Sequence, residues 1–98
     1  MKWFISQPMK GRTDEEILAE REKAITAIKN IDPDAKILDS FFEKAPHDAK
    51  PLWFLGKSFE VLSDADTAYF CKGWNEARGC VMEQIAANNY GISVIYGE

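Results

Sequence analysis

Thr67-Ala68-Tyr69-Phe70-Cys71-Lys72-Gly73-Trp74-Asn75-Glu76-Ala77-Arg78-Gly79-Cys80-Val81-Met82-Glu83 is the stretch on which the fold turns. Its first five residues form a short apolar run of strand type. Gly73 breaks the run, and Cys80, Val81 and Ile85 then return at helical spacing. Strand, turn and helix in that order put backbone amides and an early-helix carboxylate, Glu83, at the carboxyl edge of a sheet. In open α/β sheets that edge is where ligands bind. A helix carboxylate is most simply a solvated one, so the rest of the chain must say what faces Glu83.

Upstream, Lys2-Trp3-Phe4-Ile5-Ser6 reads as a buried strand that stops at Gln7-Pro8-Met9-Lys10-Gly11. Thr13-Asp14-Glu15-Glu16 has the spacing of a capping box. Ile17, Leu18, Ala24, Ile25, Ile28 and Ile31 follow on one helical face. Ala35-Lys36-Ile37-Leu38-Asp39 is a second, weaker strand, and 41–50 reads as a loop. Pro51 suits the first turn of a second helix, along which Leu52, Leu55, Phe59 and Leu62 make an apolar seam. The third helix spans 77–88, with Asn89 and Gly91 as stop signals, and Ile92-Ser93-Val94-Ile95-Tyr96 closes the chain as a fourth strand.

Strands alternating with helices predict one α/β domain over 1–98. The expected architecture is a flavodoxin- or Rossmann-like three-layer sandwich with a four-stranded parallel sheet in order 2-1-3-4. The switch point then falls between strands 1 and 3, where the loops at 6–9 and 72–76 meet.

Composition narrows the function. The chain has 98 residues, 46 % of them apolar, and a net charge of −4 with no basic stripe, which argues against a nucleic-acid polymer as partner. No apolar run approaches a membrane span. Two cysteines, Cys71 and Cys80, make neither a disulfide framework nor a zinc site, so a reduced, cytoplasmic protein is expected, with no metal and no cofactor. Three tryptophans, six phenylalanines and three tyrosines are many for so small a surface, and the second helix has more than one face to bury. A homodimer or larger homo-oligomer follows as an expectation.

Ser6-Gln7-Pro8-Met9 after the first strand, Phe70-Cys71-Lys72-Gly73-Trp74 after the third, and Ala77-Arg78-Gly79-Cys80-x-x-Glu83 resemble the nucleoside 2-deoxyribosyltransferase-like family, in a small branch common in bacterial and phage genomes. The resemblance also takes in Asp39-Ser40-Phe41-Phe42 and Tyr90-Gly91-Ile92. It implies cleavage or transfer at the N-glycosidic bond of a deoxynucleoside or its 5′-monophosphate, with the glutamate of the Gly-x-x-x-Glu motif, here Glu83, as nucleophile. Pro8 matches the family's proline. Gln7 stands where a glycine is usual, and Ala77 where the transferases place an aspartate and related monophosphate glycosidases a serine.

That chemistry asks for a second acid to protonate the departing base, and Asp39 at the end of the second strand is the candidate. Trp74 and Phe41 are candidates to stack on the base. Arg78 and the amides near Gly79 could hold a phosphate. Ser6, Gln7, Pro8, Met9 and Gly73 would line the ligand. For each a plainer reading exists: a strand-end cap for Asp39, rim or interface packing for the aromatics, a surface ion pair for Arg78. The competing function is a binding protein on the same scaffold that holds a nucleotide-like ligand without turnover, and Gln7 and Ala77 favour it.

Overall fold

The computed structural model describes residues 1–40 and 46–97. Its elements run β1 (Lys2–Ser6), α1 (Asp14–Ile31), β2 (Lys36–Ile37), α2 (Pro51–Leu62), β3 (Thr67–Phe70), a 3₁₀ turn (Trp74–Glu76), α3 (Arg78–Asn89) and β4 (Ser93–Tyr96). The four strands form one parallel sheet in the order β2-β1-β3-β4, as the alternation of elements predicts.

Alternation along β1 divides the core into two layers. Trp3 and Ile5 face α1, packing with Ala24, Ile28, Tyr69 and Cys71. Phe4 faces the other way, onto Leu62 of α2, Ala68 and Phe70, with Ala86 of α3 against them. Trp3, Phe4, Ile5, Ile28 and Phe70 are almost wholly removed from water. Because β1 and β3 lie at the centre of a sheet covered on both faces, every one of their side chains after Lys2 is buried.

Helix ends follow their local chemistry. Thr13 accepts from the Glu16 amide while the Glu16 carboxylate accepts from the Thr13 amide, so the capping box forms. At the far end of α3, Gly91 takes φ +75° and the Ile92 amide returns to the Ala87 carbonyl at 2.9 Å, the bond that closes a Schellman motif.

Two expectations need correction. β2 is only Lys36–Ile37, not 35–39. Beyond it one backbone bond continues, from the Leu38 amide to the Trp3 carbonyl at 2.9 Å, and side chains then take over. Arg21 donates to the Leu38 carbonyl at 2.9 Å and to Ser40 Oγ at 3.0 Å, while Ser40 donates to the Ile5 carbonyl at 2.8 Å. The seam expected along α2 is buried only at Leu62; Leu52 is 79 % exposed and Phe59 38 %. α2 meets the sheet through its last turn, at Leu62 with Val61 beside it, which leaves its first turns outward.

Candidate functional site

α3 buries Cys80, Glu83 and Ala87, three positions spaced i, i+3, i+7 along one face. A carboxylate therefore takes a core-facing position in a helix packed on a sheet. Glu83 is 7 % exposed. The Ser6 hydroxyl, at the last residue of β1, donates to Glu83 Oε1 at 2.6 Å. That contact ties α3 to the carboxyl end of the central strand, the edge where Glu83 was expected.

Burial pushes the Glu83 carboxyl above its ordinary pKa, while the Ser6 and Ser58 hydroxyls pull it back by favouring the ionised form. Ser58, on α2, was missed in the sequence, where it reads as one of three polar residues, with Lys57 and Glu60, in an otherwise apolar helix. Burial pushes both thiols up, Cys71 to about 12 and Cys80 to about 11, which disfavours the nucleophilic thiolate.

The two loops of the switch point do meet. Gly73 has φ +88°, and a Cβ on it would lie 3.7 Å from Pro8 Cγ and 3.9 Å from Arg12 Nη2. Pro8 is buried beneath the turn and Met9 is exposed. Gln7 is buried too, but its amide goes to the α1 face, donating to the Ile17 carbonyl at 3.0 Å and to Glu20 Oε1 at 3.2 Å. Arg12 holds the same Glu20 carboxylate through both oxygens at 2.9 Å. Gln7 is thus a brace between β1 and α1, on the opposite side of the sheet from Glu83.

Trp74 is half-buried, stacked on Tyr96 at 5.2 Å and edge-on to Phe70 at 5.7 Å. One face of its indole is already occupied. Arg78 and Gly79 lie exposed in the first turn of α3, whose cap residue Ala77 supplies no side-chain bond. Asp39 is exposed just past β2, and its charge acts on the Arg21 guanidinium, countering the burial that lowers the pKa of that group. Since Ser40 is anchored on Ile5, Asp39 stands at the same sheet edge as Ser6. Its charged neighbour Arg21 belongs to α1, however, and Glu83 to α3 on the other face. Phe41 lies outside the described residues.

A groove of about 980 Å³ runs along α1, floored by Ala24, Tyr69 and Ile95 and walled by Lys23 and Lys72. None of the candidate site residues lines it. Among the described residues no cluster of His, Cys, Asp and Glu could hold a metal ion, and no helix is long and apolar enough to cross a membrane. Compared with protein-family models, curated proteins and solved structures, the chain matches none.

Proposed function

We propose that this protein cleaves the N-glycosidic bond of a deoxynucleoside or its 5′-monophosphate, by hydrolysis or by sugar transfer, with Glu83 as nucleophile. One observation carries the reading. Glu83 occupies an inward-facing helical position where an apolar residue would cost less, at the strand edge where open α/β sheets bind ligands. Burial set against hydroxyl donors, here Ser6 and Ser58, is how sites tune carboxylates. The resemblance of Gly79-Cys80-Val81-Met82-Glu83 and of the loop around Pro8 to the deoxyribosyltransferase-like family supplies the substrate class.

In this reading Asp39 protonates the departing base, Trp74 offers the ring face turned away from Tyr96, and Arg78 with the amides near Gly79 receives a 5′-phosphate when one is present. Gln7 is compatible with the role, because its side-chain NH2 is directed to α1 rather than to the Glu83 side. The protein is expected in the reducing cytoplasm, with Cys71 and Cys80 as free thiols, and as a homodimer through α2. A second reading, a nucleotide-like binder without turnover, is favoured by Ala77, which brings no polar group to the first turn of α3.

The test is free base released from a panel of deoxynucleosides and their 5′-monophosphates, separated by chromatography. Release of base from at least one substrate is expected, and Ala77→Asp should raise the rate. Measurable nucleotide binding with no base from any substrate would decide for the binder.

A further inference from the structure

We propose that Ser6 is a positioning residue for Glu83, holding Oε1 so that Oε2 is the oxygen that bonds to the sugar. This rests on Glu83 being the nucleophile. Ser6 was expected to contact substrate; instead its hydroxyl is turned to the carboxylate. Ser6 shares a face of the sheet with Phe4, the face covered by α2 and α3, and is 2 % exposed. Its Oγ lies 2.6 Å from Glu83 Oε1, within the range of a charge-assisted O–H···O⁻ bond. Serine has one rotatable torsion, and the packed end of a central strand fixes its backbone, so the donor is rigid.

The same bond serves both halves of the reaction. In the first, an Oε2 lone pair forms the bond to the anomeric carbon as the C–N bond breaks. The C–N pair leaves with the base, which takes a proton from the acid. Oε1 is then the carbonyl oxygen of the glycosyl ester and still accepts from Ser6. In the second, water attacks the anomeric carbon and gives its proton to the conjugate base of that acid. The C–Oε2 bond breaks with its pair returning to the carboxylate, where Ser6 stabilises the charge as it reappears. Among the described residues, the other groups facing Glu83 are the Ser58 hydroxyl from α2 and, one turn earlier on α3, the Cys80 thiol beside Ser6.

The experiment compares wild type, Ser6→Ala and Ser6→Thr. The Glu83 carboxyl is titrated by ¹³C NMR in the folded, glutamate-labelled protein without substrate, and base release is followed against pH. Ser6→Ala should move the Glu83 midpoint upward and Ser6→Thr should restore it. The kcat of Ser6→Ala should fall roughly ten- to a hundredfold with KM little changed, the worth of one hydrogen bond to a charged group. A folded Ser6→Ala protein with an unmoved midpoint overturns the assignment, because a packing role alone would alter stability and leave the titration in place. A wild type that releases no base overturns the nucleophile reading and the kinetic half with it. The titration is read without substrate, so the two failures are distinct.

Discussion

At the scale of the residue, Glu83 sets a conflict between stability and chemistry. Its carboxyl is held above the ordinary carboxylate pKa by burial, so the folded state binds this proton more tightly than the unfolded chain does. The stabilising share is therefore complete below the unfolded pKa and is lost as pH rises through the folded one. Glu83→Gln removes the buried charge and keeps a partner for Ser6. It should raise the melting temperature at pH 7 and leave it nearly unchanged at pH 4. Thermal unfolding at both values checks this; equal shifts at the two would contradict it. The position of Glu83 on an early helix at the sheet edge was legible in the sequence, but its burial was not. Val81 and Ile85 look like the apolar face, yet Val81 is only half-buried and Ile85 is 49 % exposed. The rotation that turns Cys80, Glu83 and Ala87 inward is set by how the chain leaves β3, which periodicity does not encode.

At the scale of the element, the turn between β3 and α3 has the strictest requirement. Gly73 stands at φ +88°, where a side chain meets strain even though the space beside Pro8 is ordinary contact distance. Gly73→Ala should lower stability by about 1–2 kcal/mol, and Gly73→Asn by less, since asparagine tolerates the left-handed region. Chemical denaturation measures both, and an alanine variant as stable as wild type would refute the turn. In α1, Thr13→Ala should lose about 1 kcal/mol with the capping box, visible as an earlier denaturation midpoint. The capping box was plain in the sequence because its partners are three residues apart. The brace of Arg21 on Leu38 and Ser40, with Ser40 on Ile5, was not. Its members lie 17 to 35 residues apart, a separation that local sequence patterns do not reveal, and they hold the chain where β2 ends two residues sooner than its apolar run.

At the scale of the whole molecule, parallel order 2-1-3-4 follows from short connections and right-handed crossovers, and the sequence carried both signals. How α2 seats did not follow, because Leu52, Leu55, Phe59 and Leu62 have the spacing of a core seam wherever the helix lies. Leu52 and Phe59, seven residues apart on one side of α2, are exposed, as are Phe54 on another side of that helix and Met82 and Ile85 on α3, apolar surface that an interface through α2 would cover. Leu52→Arg should convert a dimer to a monomer in sedimentation at micromolar concentration; a monomeric wild type would contradict the assembly. The claim that joins these scales is that Glu83 bonds to a sugar. Intact-mass spectrometry of the protein quenched during turnover of a deoxynucleoside or its monophosphate tests it most directly. The expected result is a mass increase equal to one deoxyribosyl or deoxyribosyl-phosphate group, mapping to the peptide that carries Glu83 and absent from Glu83→Gln. Base release that persists undiminished in Glu83→Gln, or an adduct on any other residue, would contradict it.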